Sequence, residues 1–147
     1  MGASASVVGI LTALRADMAS GWMRSLAETV RAETLSDALN QAMDLCEKGY
    51  IARAAVVAGT ASESHLRLLA MKSGVDIVLP SSAPKKADPL NADLVKAGSY
   101  ATIQQKSVTA WLSIRNAAAH GDQEKFSESE VRHMMAAIRD FVARTPA

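Results

Sequence analysis

The stretch Ala110–Asp122 reads AWLSIRNAAAHGD, and the rest of the chain is best read outward from it. It is rich in strong helix formers and has a glycine at 121, so it predicts the last turns of an α-helix that stops at Gly121. At about 100° per residue, Val108, Trp111, Leu112, Ala118 and Ala119 fall on one side of that helix. Arg115 falls in the middle of this apolar stripe. Gln105, Lys106, Thr109, Ser113 and Asn116 form the opposite, polar side. A guanidinium on an apolar face is costly unless a carboxylate, a phosphate or a partner chain meets it. His120 ends the helix, roughly 140° around the axis from Arg115. The two side chains converge only if the helix end deforms or if two copies of the helix face each other.

Downstream, Ser127–Glu128–Ser129–Glu130 matches a capping box and opens a last helix. Val131, Met134, Met135, Ile138, Phe141 and Val142 form its apolar stripe, with Arg132, His133, Arg139 and Arg144 off it. Upstream, Leu90–Lys96 predicts a short helix ending at Gly98, and the helix of the opening stretch begins near Ser99. Residues 75–91 hold three of the four prolines and predict a loop. Within it Val75–Leu79 has strand-like residues but no sheet to join, so an apolar loop segment is expected.

Tyr50–Ser73 predicts a helix closed by Gly74. Val56, Gly59, Glu63, Leu66 and Ala70 share one side of it, so Glu63 looks into the bundle as Arg115 does from its own helix. The bland reading of Arg115 is an ion pair with Glu63. Gly59 costs about 1 kcal/mol of helix propensity, which a close-packed neighbouring helix would offset. Val7, Leu11, Leu14, Met18, Trp22, Leu26 and Val30 predict a first helix from about Ser4 to Ala32, bent at Ser20–Gly21. Thr34–Asp37 predicts a break and a new N-cap. Leu39, Met43 and Cys46 then give a shorter stripe ending near Gly49. The expected fold is all-α: a bundle of about five helices with an extra N-terminal helix, residues 1–35 being an extension and 36–147 the core.

The 147 residues suffice for one domain with a substantial core. Hydrophobic content is 49% but aromatic content only 4%, which favours close-packed helices over sheet. The net charge of +1 provides no global field for nucleic acid, so any RNA contact is a local patch. A single cysteine, Cys46, rules out an internal disulfide and suits a reducing cytoplasm. No apolar run reaches membrane-spanning length, and Val7–Leu14 lacks a preceding basic residue, so neither a membrane span nor a signal peptide is expected. No spacing of His, Cys, Asp and Glu resembles a metal site, and no glycine-rich phosphate loop or nucleophile elbow is present. His65 and His133 read as bystanders, and the seven methionines as packing residues. For His120 the bland reading is a residue capping the last carbonyls of its helix, and for Asn116 a solvent-facing amide.

Arg115–Asn116, three residues and then His120 resembles the R-N-x-x-x-H motif of the HEPN superfamily (higher eukaryotes and prokaryotes nucleotide-binding). The context is similar too: a glycine follows the histidine, a tryptophan stands four residues before the arginine, and another amphipathic helix comes after. Upstream, Ala54–Ala55, then Gly59, Glu63 and Leu66–Arg67 resembles that family's A-A-x-x-x-G-x-x-x-E-x-x-L-R helix. The resemblance spans about residues 36–144. It implies a homodimeric, metal-independent endoribonuclease without a cofactor, with Arg115 and His120 catalytic and Asn116 and Glu63 supporting. It also implies RNA as substrate, a toxin or phage-defence setting, and a nucleotidyltransferase-type antitoxin as partner. Family members that have lost activity supply the alternative: a helical module that binds a nucleotide or a protein.

Overall fold

The structure is a computed structural model. It describes residues 2–147, with side chains described at position 21 and from 26 onward. Among the described residues there are five α-helices and no strand. They are α1 (Gly2–Glu47), α2 (Ile51–Ser73), α3 (Ala87–Lys96), α4 (Thr102–Ala119) and α5 (Glu128–Arg144). A short 3₁₀ turn, Gln123–Lys125, links α4 to α5. The chain divides into two compact units, Met1–Arg31 and Ala32–Ala147. None of the described helices is long and apolar enough to cross a membrane.

The first unit is helical throughout its described part, and Leu26 and Val30 are exposed there. The stripe expected from Val7 to Trp22 lies outside the residues whose side chains are described. In the second unit α2 is central and packs against α3, α4 and α5. Small residues make that possible: Ala54, Ala55, Ala58, Gly59, Ala61 and Ser62 are all buried. Gly59 is where α4 comes closest. A Cβ there would fall on the Cβ and Cγ of Arg115, so only glycine fits between the two helices.

Besides the start of α4, which lies at Thr102 and not near Ser99, two expected boundaries change. The break at Thr34–Asp37 is absent, and α1 runs through it and through Ser20–Gly21. Leu35, Leu39, Ala42 and Cys46 are buried at three- and four-residue steps, so one continuous stripe holds the helix. Ser36 and Asn40 take hydrogen bonds from Arg139 of α5. Capping residues with no Pro or Gly among them do not end a helix whose packing continues. Met43 is therefore off the stripe and 43% exposed, and Met71 is exposed too, so not every methionine is a packing residue. The second change is at α3, which begins at Ala87 and holds Pro89 in its first turn. The N–H groups of a first turn have no intrahelical partner, so proline costs nothing there.

Residues 75–86 form the expected loop, with one isolated bridge between Val78 and Pro84. Ser127 caps α5 as expected, its Oγ accepting from the Glu130 N–H at 3.1 Å. Val131, Met134, Met135, Ile138 and Phe141 are buried, and Val142 is partly so. Tyr100, Trp111 and His65 each meet the Phe141 ring edge-on.

Candidate functional site

The site is built on the last two turns of α4. Helix α4 closes in a Schellman motif, with Gly121 left-handed at φ 79°. Its N–H bonds the Ala118 carbonyl at 3.3 Å, and the Asp122 N–H reaches back to Ala117 at 2.9 Å. A side chain with a Cβ is strained in that conformation, which is why the chain turns at this glycine. The return also covers Ala117, which is buried although the wheel puts it opposite the apolar stripe. Ala119, expected on the stripe, is exposed.

His120 sits at the C-cap and is exposed. Its backbone N–H still bonds the Asn116 carbonyl at 3.1 Å, so the helix end is regular and does not swing the imidazole toward Arg115. The ring Nδ1 lies 2.7 Å from the same carbonyl. A carbonyl only accepts, so Nδ1 carries a proton, and in the neutral ring the lone pair is on Nε2. Hydrogen bonding thus sets the tautomer.

Arg115 lies on the other flank, against α2. Its Nη2 is 3.7 Å from Glu63 Oε2, and its Nη1 donates to Asn116 Oδ1 at 3.0 Å. Its Nε is buried with no partner. The expected pair with Glu63 therefore forms, but it is neither buried nor exclusive. The two side chains are 32% and 21% exposed. Glu63 Oε1 also accepts from Arg67 at 3.2 Å, and Arg67 is anchored in turn on the Lys85 carbonyl at 2.7 Å. One carboxylate is divided between two guanidinium groups, and most of the N–H donors of Arg115 stay unmatched.

Asn116 joins the two halves. Its side-chain oxygen takes Arg115 and its main-chain oxygen takes His120. The wheel places it on the polar side but cannot show this bridging role. Arg67 was legible as the i+4 neighbour of Glu63. An open cleft of about 470 Å³ lies beside His120, with Asp88, Ser113, Asn116 and Lys125 in its lining. Arg115 is not part of that lining. Within one chain, then, Arg115 and His120 occupy different flanks of α4.

The other histidines differ in burial. His65 is buried, and its Nε2–H donates to the Thr145 carbonyl at 2.7 Å. Burial lowers its pKa from the usual value, and the charge of Lys72 acts the same way, against the Thr145 bond. His133 is exposed on α5. Among the described residues no group of three or more His, Cys, Asp or Glu side chains could hold a metal ion. No family model, curated protein or solved structure matches the chain.

Proposed function

We propose that the protein is a HEPN-type, metal-independent endoribonuclease that acts as a homodimer. The observation that carries the reading is the state of the Arg115–Asn116–His120 trio. Among the described residues the exposed His120 Nε2 has no partner, while Arg115 shares its one carboxylate with Arg67 and keeps a buried N–H unpartnered. A purely structural Arg115 would not leave its buried Nε–H unmatched, because an unsatisfied buried donor costs about 1–3 kcal/mol.

In this reading the Nε2 of one His120 takes the 2′-OH proton of a ribose. The 2′-oxygen attacks the adjacent phosphorus, and the P–O5′ bond breaks. The protonated His120 then gives its proton to the leaving 5′-oxygen. Arg115 balances the charge of the phosphorane, its planar fork suiting two phosphate oxygens. The products are a 2′,3′-cyclic phosphate and a 5′-hydroxyl end, and DNA is not cut because it lacks the nucleophile. The different flanks of Arg115 and His120 support the dimer: a two-fold axis near the ends of two α4 helices would gather two arginines and two histidines. A toxin or defence role, with a nucleotidyltransferase-type antitoxin as partner, belongs to the same reading.

The Arg115–Glu63 pair favours a second reading, a non-catalytic helical module that binds a nucleotide or a protein. One experiment separates the two. End-labelled RNA is incubated in EDTA with wild type, Arg115→Ala, His120→Ala and a refolded mixture of the two variants. The nuclease reading expects cleavage to cyclic-phosphate ends by wild type, none by either variant and a partial return in the mixture. No cleavage by wild type, or equal cleavage by His120→Ala, refutes it. A mixture as inactive as its parents refutes a site shared between chains.

A further inference from the structure

The cleft beside His120 carries groups that the proposed chemistry does not use. Asp88, in the first turn of α3, lines it and is exposed. Among the described residues no cation or hydrogen-bond donor is paired with the Asp88 carboxylate. Asp122 also lines the cleft, but Lys125 holds it at 3.5 Å. The Ser113 hydroxyl, on the polar side of α4, has no partner among the described residues either. Thr109 is already engaged, donating to the Gln105 carbonyl at 3.0 Å and accepting from Asn91 at 3.3 Å.

Charge decides which part of a nucleotide fits. Two carboxylates against one ammonium leave the cleft at −1 with His120 neutral. A phosphate inside the cleft is repelled, and the scissile phosphate is better placed outside it, between His120 and an Arg115 as the proposed mechanism requires. An uncharged base is not repelled, and a cleft of about 470 Å³ has room for one. Single-stranded RNA is read through the Watson–Crick edges of its bases. A lone carboxylate offers two acceptors side by side and calls for two adjacent donors. Of the four bases only guanine has them, at N1–H and the N2 amino group. Adenine and cytosine each set one amino group beside an acceptor, and uracil flanks its single N3–H with two carbonyls. The Ser113 hydroxyl adds a donor suited to guanine O6.

We infer that the cleft is a guanine-recognition subsite, with Asp88 as its specificity-determining residue. The inference rests on the nuclease reading for where the scissile phosphate lies, but base recognition is measurable without cleavage. In solution, His120 resonances are followed while wild type and Asp88→Asn are titrated with GMP, AMP, CMP and UMP. In parallel, both proteins act on RNA oligonucleotides that differ in one base. Wild type should bind GMP roughly ten-fold or more tightly than the other nucleotides, as a bidentate contact warrants. It should cleave next to guanosine in preference. Asp88→Asn, which exchanges one acceptor for a donor, should lose both preferences. Asp88 is exposed, so the variant is expected to fold, and matching circular dichroism checks this. GMP selectivity without RNA cleavage would uphold the subsite and overturn the nuclease reading. Equal binding of all four nucleotides together with cleavage indifferent to base would overturn the subsite. So would a guanine preference that Asp88→Asn leaves intact.

Discussion

Gly59→Ala is the sharpest probe of the architecture, because ordinary helix chemistry and this packing give opposite signs. In the middle of a helix, Gly→Ala stabilises by about 1 kcal/mol. Here the added methyl would fall on the Cβ and Cγ of Arg115 and lie 3.4 Å from Met134 Cε. The Arg115 atoms belong to the stem of the side chain, next to the α4 backbone, and cannot yield as a flexible tip could. Either α2 and α4 separate or Arg115 is pushed from its place between Glu63 and Asn116. Overpacking of this kind costs about 1–3 kcal/mol, and occasionally more. Subtracting the helix gain leaves a net loss of up to about 2 kcal/mol, more where the overpacking exceeds the usual range. For a chain of this size a loss of about 2 kcal/mol lowers Tm by about 4–8 °C. Gly21→Ala is the control: among the described residues nothing lies within 4 Å of its added Cβ, so it should be neutral or stabilising by up to about 1 kcal/mol. Urea and thermal unfolding of both variants, followed by circular dichroism, give the comparison. A Gly59→Ala protein at least as stable as wild type would refute the close approach of α4 to α2, and with it the placement of Arg115.

Glu63→Ala should cost about 1–2 kcal/mol in urea unfolding, between the value of an exposed ion pair and that of breaking a buried one, because both side chains are partly solvated and Glu63 serves two arginines. A loss under about 0.5 kcal/mol would mean that solvent already screens Arg115. His65 makes stability depend on pH. Unfolded, it binds a proton near its ordinary value of 6.5; folded, burial holds that value lower. Between the two values the unfolded chain carries more protons, so stability is complete above about pH 6.5 and falls as pH drops through the window. Gln at position 65 retains a donor for the Thr145 carbonyl and should flatten that fall in unfolding experiments run from neutral to mildly acidic pH. An equally steep fall in His65→Gln would assign the dependence to other groups.

Much of this molecule is written locally. The stop at Gly121, the Ser127 cap and the α5 stripe each depend on residues within a turn or two of one another, so they are legible without a fold. The position of Arg115 on an apolar side follows from the helical repeat alone. The choice of Glu63 as its counter-charge follows from both residues lying on faces that are otherwise apolar or small. The misreadings have one origin. Thr34–Asp37 carries local cap chemistry, yet the burial of Leu35 and Leu39 holds α1 together there. Ala117 and Ala119 exchange roles because burial depends on tertiary packing and not on the wheel alone.

By itself, the sequence determined an all-helical chain, most of its helix ends, and the residues Arg115, Asn116 and His120 as the ones to examine. Tertiary structure alone decided that the Glu63 carboxylate is divided between Arg67 of its own helix and Arg115 of α4, that Arg67 is held on the Lys85 carbonyl, and that Asp88 of α3 shares a cleft with α4. The physical reason is range. Most of the helix ends here are settled by hydrogen bonds between residues at most five apart, which a linear pattern records. A carboxylate's partners, and the groups that line a cleft, are settled by contacts between helices far apart in the chain, which become defined only once those helices pack.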